Sequence, residues 1–543
     1  MDKIRSRDSF ILIFIFAASA LVYEMVLAST LVFLFGDSIF YFSLTIAFFI
    51  LFMGLGSSVS TWLSARPMPA LFTAELVTSL VGGLSSLLVL WVAAETKDGF
   101  VTWIVSLLLT FLIGFAAGVE IPLLYKLTQK DSFSKFGTFL MYDYLGALCG
   151  AVLFSIVLLP RLDLIGSAVL VGAVNIFVLL VFVFRYRELF SKSIIWLGSV
   201  ILSLALNVVI FSQHNQLQAK IDDKIFQLSP RTQTLYSFRT SYQKVMISLT
   251  PSEDIEQQHR QKVIAQSSVP PTTPWISVYL NNFTQSFAPL GADTDFYHHA
   301  FVHPAMVLAD ERKRVLVLGG GDGLPGKEII KYPEVENIVT VDLDEQWVTF
   351  AKNNEDMRRH NFDSLGDPRV QLVINDAFQW VRMSKQIFDV IFVDFPEGVD
   401  FPLARSYSLQ FLKDLKRIIS DDGVISFQTD SFNNALYWSV VKTLQEAGFH
   451  IIPHRSLEFG HESYGFILAS KKHKSLKDFD ARVAQRSFIN KKMLFSVFMM
   501  NEMRDERFVK NKTAGLMINT FFHPIFLYYY RTSQPWGIFI GNN

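Results

Sequence analysis

Apolar positions run in long unbroken blocks through roughly the first two hundred residues, then give way to short alternating ones. Blocks of spanning length lie at about 10–34, 38–63, 69–94, 100–125, 138–160, 163–184 and 194–212. A helix needs roughly 20 apolar residues to cross the hydrocarbon of a bilayer. Seven spans are therefore expected. The opening "MDKIRSRDSFILIFIFAASALVYEMVLASTLVFLF" joins a basic start to an apolar run longer than a cleavable signal uses, so it reads as the first span.

The pattern changes at "SQHNQLQAKIDDK", residues 212–224. "YQKVMISLT" and "WISVYLNNFTQSFA" read as paired strands around a polar, proline-rich loop. Then strands alternate with helical stretches: "RVLVLGG", "NIVTVDLD", "VQLVIND", "FDVIFVDF" and "GVISFQTD". Such alternation predicts a mostly parallel sheet covered on both faces. The expected architecture is an α-helical transmembrane bundle of about seven spans plus an α/β Rossmann-like, methyltransferase-type domain with a small N-terminal β region. The boundaries are 1–213 for the bundle, 214–300 for the β region with its polar insertion, and 301–475 for the cofactor-binding and catalytic domain. Residues 476–543 form a C-terminal extension to which the pattern assigns no role.

Composition sharpens this. The chain has 543 residues, 51% hydrophobic, with 51 Phe, too apolar for an ordinary soluble protein of its length. A formal net charge of zero removes the bulk-charge case for nucleic acid. A single cysteine, Cys149, excludes an intrachain disulfide and a cysteine metal site, and no metal is expected. Lys3, Arg5, Arg7, Arg66, Lys126, Lys130, Lys135, Arg185, Arg187 and Lys192 fall on one face of the membrane, and Lys97 and Arg161 on the other. Positive charge marks the cytoplasmic side, so the N-terminus is expected there. An odd number of spans would put the later domain outside, whereas cofactors of the type considered below are made in the cytosol. The side of the catalytic domain stays open, in what is expected to be a multi-pass protein of the cell (inner) membrane.

"GGGDG" (319–323) follows a strand and precedes a helix. Glycines let the backbone approach a ligand, here at Gly319, Gly321 and Gly323. Asp342 ends the next strand, 19 residues after Gly323, where an acid can accept both ribose hydroxyls. "VINDAF" puts Asp376 and Ala377 at the end of a further strand, a position suited to an adenine amino group. Asp322 within the loop would repel a pyrophosphate. It suits a cofactor with a cationic amine, S-adenosylmethionine or its decarboxylated form. A nicotinamide cofactor and a purely structural glycine turn remain as alternatives.

The fourth strand of the series ends in "DVIFVDFPEGVDFPLARSYSLQFL", with Asp394, Glu397 and Asp400 close together. Acids there can hold a polyamine cation and take a proton from an attacking amine. A solvated acidic loop is the plainer alternative.

At this point the chain resembles the spermidine synthase family, the polyamine aminopropyltransferases, over roughly residues 240–472. It also resembles the subgroup in which this domain follows a multi-span membrane region. "SYQKV" places Gln243 at the family's cofactor-binding glutamine. "LNNFTQSFAPLGADTDFYHHAFVHPAM" is similar to the family's L-x-G-x-x-Q, D-E-x-x-Y-H-E and H-P motifs, with His298 on its histidine and Asp293 on its first acid. "GGGDG", "VDLDE" and "NDAF" follow in the family's order, and "DFPEG" stands where it has D-x-x-D-P, so Asp394 matches its proton acceptor. The resemblance implies aminopropyl transfer from decarboxylated S-adenosylmethionine to putrescine or a related amine, without metal. The family's small β region commonly serves dimers, so the resemblance admits a homodimer.

The departures sit mostly on the amine side. Glu397 and Gly398 replace an aspartate and a proline, Thr294 and His299 replace acids, and Phe459 stands where a tyrosine is common. They leave the amine's identity open, and turnover with it. A methyltransferase, or a non-catalytic transporter or sensor binding a nucleoside or polyamine, remains an alternative.

Four acids interrupt the apolar blocks: Glu24, Glu75, Glu120 and Asp143. No Lys or Arg lies well inside any span to offset them. Such acids mark a cation-binding pocket or path, protonated groups hydrogen-bonded to neighbouring helices, or interfacial helix ends. "MGLGSS" and "GALCGA" predict close helix packing.

Overall fold

The computed structural model describes residues 4–36, 38–128, 136–186, 188, 193–226, 229–257, 260–261, 269–281, 283–293, 296–395, 401–432, 434–455, 464–476, 479–489 and 506–521. These fall into two compact units, one ending with residue 226 and the other beginning at residue 229.

The first unit is all helical: α1 (Ser6–Phe35), α2 (Ser38–Leu63), α3 (Pro67–Thr96), α4 (Gly99–Thr128), α5 (Phe136–Leu153), α6 (Leu159–Arg185) and α7 (Ser193–Phe226). Among the described residues, six helical stretches are long and apolar enough to cross a membrane, one of them the 50-residue run Phe136–Arg185. That run is not one rod. Its backbone leaves helical geometry at Asp163 (φ 56°, ψ −168°), whose Oδ1 accepts from the Leu164 N–H at 2.9 Å and restarts the helix. Phe10 meets Phe139 and Tyr142 at ring distances of 5.1 and 4.9 Å, and Arg185 donates to Asp8 at 2.7 Å. The start of α5 and the end of α6 therefore lie at the same end of α1, and the run doubles back. The six stretches therefore comprise seven helices, α1 to α7.

The same contacts sort the charges. Ser9 bonds Thr128 at 2.6 Å and Lys126 donates to the Ser64 carbonyl at 3.0 Å, which gathers Arg5, Arg7, Arg66, Lys126 and Arg185 at one end. At the other end Lys224 of α7 pairs with Glu95 of α3. Apolar composition stops near residue 212, yet α7 continues through polar sequence to Phe226, supported by that pair and by Gln218 donating to Asp222 at 2.7 Å. Close packing occurs where the small-residue patches predict it. A Cβ on Gly56 would collide with the Phe115 carbonyl, and one on Gly146 with that of Phe14.

The second unit opens with a four-stranded antiparallel meander: β1 (Gln233–Arg239), β2 (Lys244–Thr250), β3 (Trp275–Leu280) and β4 (Phe283–Pro289). Two differences from the expected pair appear: "WISVYLNNFTQSFA" divides into β3 and β4, and β1 is an addition whose "QTLYSFR" is only half buried. Val245, Ile247, Ile276 and Val278 pack this sheet on Trp347 and Ala351 of the helix Glu345–Asn353.

The larger sheet has seven strands in the order β10-β11-β9-β8-β5-β6-β7. They are β5 (Arg314–Gly319), β6 (Asn337–Asp342), β7 (Val370–Ile374), β8 (Phe388–Asp394), β9 (Ile419–Ser431), β10 (His450–Arg455) and β11 (Tyr464–Ser470). β5 to β9 pair in parallel, and β10 and β11 add an antiparallel edge. Both faces are covered, as the run of apolar residues requires. Leu316, Leu318, Ile391 and Val393 enter one core, and Val315, Val317, Val390 and Phe392 the other. Described parts of the C-terminal extension dock here. Asn519 donates to the Ala404 carbonyl at 2.7 Å, and Ser439 donates to the Met517 carbonyl at 3.0 Å.

Candidate active site

Strand order reverses between β5 and β8, where Gly319 stands in register with Asp394. The crevice beyond the carboxyl ends of strands at such a reversal is where open α/β sheets bind ligands. β5, β6, β7 and β8 all deliver candidate residues there.

The glycine loop is held by its neighbours. Gly319, Gly320 and Gly323 have φ of +84°, +66° and +80°. Gly321 lacks room for any side chain, since a Cβ would lie 2.5 Å from Asp342 Oδ2. Its N–H donates to that oxygen at 3.0 Å, and the Asp344 N–H donates to Oδ1 at 2.9 Å. Burial pushes the Asp342 carboxyl up to about 6 in spite of these donors. Asp322 Oδ1 accepts from the Leu324 N–H at 2.9 Å. From outside the loop, Asn361 donates to the Asp322 carbonyl at 2.7 Å and Ser364 to the Gly323 carbonyl at 2.5 Å. These bonds set the loop's shape within the protein itself.

Asp394 ends β8 beside this loop. Burial pushes its carboxyl up to about 7; His298 opposes the rise, Asp322 and Asp342 add to it, and the Tyr297 hydroxyl lowers it. That hydroxyl donates to Asp394 Oδ1 at 3.1 Å. Tyr297 and His298 sit on the helix Phe296–Leu308, their rings 4.8 Å apart, and Tyr464 of β11 packs edge-on to Tyr297 at 5.3 Å. Gln243, in the turn before β2, donates to Asp344 Oδ2 at 3.0 Å, and Thr240 donates to the same oxygen at 2.6 Å. The small sheet is thereby tied to the end of β6.

Other candidates have partners of their own. Asp376 accepts from the N–H groups of Phe378 and Gln379 at 2.8 and 3.3 Å, capping the helix that Ala377 begins, and it pairs with Arg405. Asp293 is partly buried before the helix of His298, and its carbonyl accepts from Lys331 at 3.3 Å. His299 faces Glu328 at 3.4 Å, and His303 faces it at 2.9 Å. These three could offer metal ligands, since their ligand atoms lie within 4.8 Å of one another. The Lys331 ammonium, however, already holds Glu328 Oε2 at 2.7 Å and supplies the cation. Burial pushes His299 down to about 3 and lowers His303 as well. Burial alone would raise Glu328, but the hydrogen bond with His303 and the Lys331 ammonium outweigh it and hold the carboxyl well below its usual range. Glu397, Gly398, Asp400, Thr294 and Phe459 lie outside the described residues.

A spermine/spermidine synthase domain matches residues 294–478. A polyamine aminopropyltransferase of Leptospira interrogans is 30% identical over 469 residues, covering 85% of this chain and 87% of the relative. The chain belongs to the polyamine aminopropyltransferase family. Polyamine aminopropyltransferase 2 of Aquifex aeolicus is 27% identical over 530 residues, 96% of this chain and 98% of the relative, so the match extends through the membrane unit. The crystal structure of a spermidine synthase from Thermotoga maritima is 21% identical, covers 52% of this chain and 88% of that one, and has a TM-score of 0.40. The fold brings together Gln243, the glycine loop, Asp342, His298 and Asp394. Sequence reasoning passed over four contributors: Tyr297, Asp344, Asn361 and Arg405. Tyr297 stood inside the motif Tyr-His, and that spacing was the one available signal. The partners of the other three are set by the fold.

Proposed function

We propose that this protein is a membrane-anchored aminopropyltransferase that transfers the aminopropyl group of decarboxylated S-adenosylmethionine to putrescine, giving spermidine. The observation that carries this is Asp394: a buried carboxyl near 7 at a strand end, steadied by Tyr297 and adjoining a glycine loop. A group titrating near neutral pH suits a general base. The residues fit the donor: the cradle at Gly321 excludes a side chain, Asp342 ends β6 where a ribose would be read, and Asp322 adds negative charge toward a cationic amine.

In the reaction a neutral amine of putrescine attacks the methylene beside the sulfonium. The C–N bond forms as the C–S bond breaks, and methylthioadenosine leaves with the bonding pair. Asp394 accepts the proton released by the new secondary amine. The protein supplies alignment and a base, and no covalent intermediate is needed. His298, Asp293 and Glu397 are assigned to the amine's side.

Purified full-length protein given the two substrates is expected to release methylthioadenosine and form spermidine. Methyl gain from S-adenosylmethionine, or binding without release, would overturn the assignment. Tyr297→Phe removes the hydrogen bond that favours ionised Asp394. The midpoint of its pH–rate profile is then expected to move to higher pH by roughly 0.5–1 pH unit, the worth of one hydrogen bond.

The multi-pass unit supports a place in the cell membrane. If the charge bias governs and seven segments cross, the chain emerges on the outer side, although the proposed donor is made in the cytosol. Alkaline phosphatase fused after residue 229 should then be active, and a cytoplasm-dependent reporter at the same point silent. The reverse pattern would show that the charge bias does not govern this chain.

A further inference from the structure

The reaction uses nothing inside the membrane unit, yet that unit buries a polar cluster of its own. Glu75 of α3 is 0% exposed and Glu120 of α4 is 5% exposed, and their carboxyls are close enough to interact. Ser79 donates to Glu75 Oε1 at 3.1 Å, Asn175 of α6 donates to the same oxygen, and Thr78 donates to Glu120 Oε1 at 3.1 Å. Asp143 of α5 adds its charge toward Glu120. The apolar stretches of these helices contain no Lys or Arg. Two carboxyls in contact within hydrocarbon repel unless a proton or another cation lies between them.

A second observation is independent of the acids' own bonds. Glu75 Oε2, Asn175 Oδ1, Asn207 Oδ1 and the Tyr23 hydroxyl are buried without a hydrogen-bond partner among the described residues. Tyr23, Asn175 and Asn207 are each 0% exposed. The Tyr23 hydroxyl is near enough to interact electrostatically with both glutamates. The amide orientations are constrained, since Asn175 Nδ2 donates to Ser79 at 3.0 Å and Asn207 Nδ2 to the Ser203 carbonyl at 2.9 Å. Asn207 Oδ1 enters between α3 and α6, 2.8 Å from where a Cβ on Gly83 or Gly172 would stand. Glu75, Ser79 and Gly83 repeat every four residues, so Glu75 lies on the same stripe of α3 that Asn207 approaches at Gly83. Both asparagine oxygens can only accept, and so can Glu75 Oε2 when that carboxyl is ionised. An ammonium group has three donors, a positive charge and no acceptor.

We propose that Glu75 and Glu120, with Tyr23, Asn175 and Asn207, form an intramembrane binding site for the protonated amino group of a di- or polyamine. The choice of an amine over an inorganic cation rests on the proposed reaction, whose substrate and product are such amines. The site itself rests on the acceptor set. It gives the membrane unit a ligand of the same class that the catalytic unit turns over.

The test uses full-length protein in phosphatidylcholine–phosphatidylglycerol nanodiscs and radiolabelled spermidine. Wild type is expected to bind one equivalent more than the Glu75→Gln/Glu120→Gln double variant, while methylthioadenosine release from added substrates stays unchanged. Tyr23→Phe is expected to weaken the membrane equivalent about tenfold, and it decides the matter if the double variant does not fold. Equal stoichiometry and affinity in wild type, the double variant and Tyr23→Phe would overturn the proposal. Displacement of the label by equimolar sodium or potassium would overturn it in favour of an inorganic cation site. Failure of the aminopropyl reading would show separately, as absent methylthioadenosine release in wild type.

Discussion

Asp394→Asn is expected to lower methylthioadenosine release by roughly 10²–10⁴-fold, the usual worth of a positioned general base. The fold should survive, because Asn keeps the shape and an oxygen to accept from Tyr297, which donates to Oδ1 at 3.1 Å. The substitution also relieves crowding with Asp322 and Asp342, both of which add to the rise in the Asp394 carboxyl. The sign of the pH dependence follows from that rise. Below about 7 the carboxyl holds its proton and cannot take another, so wild-type kcat/KM should climb as pH passes through about 7. The substrate amine titrates near the ordinary amine range of about 10 and adds a separate rise at higher pH. Stopped assays of methylthioadenosine between pH 5 and 9 would show the first limb in wild type and its loss in the variant. A profile without that limb would remove Asp394 from the base role.

Gly319→Ala should be the most damaging single methyl group in the second unit. Gly319 has φ +84°, where an L side chain is strained, and its new Cβ would run into the Asp394 carbonyl. Strain and overpacking each cost about 1–3 kcal/mol, so the sum is about 2–6 kcal/mol. For a unit of this size that corresponds to a fall in Tm of roughly 5–15 °C. The collision also pushes the loop away from β8, so binding of a decarboxylated S-adenosylmethionine analogue should weaken more than tenfold. Thermal unfolding with and without that analogue checks both halves. A variant with wild-type Tm would contradict the close approach of β5 and β8.

The site was legible wherever its signals were local. "VLVLGGGDG" announces a strand and a turn that needs glycine, and "VTVD" and "VIFVD" end strands in acids that the parallel register then brings together. Asp376 shows where local reading stops. Its place after β7 was expected, but its carboxylate is shared between its own helix and Arg405, a partner 29 residues away. Gln243 likewise meets Asp344 from 101 residues away. β1 escaped notice because its half-buried face lacks an apolar alternation, and the polar end of α7 because its helix is held by side-chain pairs.

By itself the sequence determined the two-part plan, the apolar helical blocks of the first unit, the glycine loop and the acids at strand ends. Those features depend on length, hydrophobic period and backbone freedom, which are properties of neighbouring residues. Only the tertiary structure decided that residues 136–185 double back at Asp163, that Tyr297 steadies Asp394, and that Glu75 and Glu120 meet on separate helices. Each of these depends on groups brought together across the fold. Burial there also bears on their chemistry, since it lifts a carboxyl at the end of β8 to about 7, which suits the base role proposed for it.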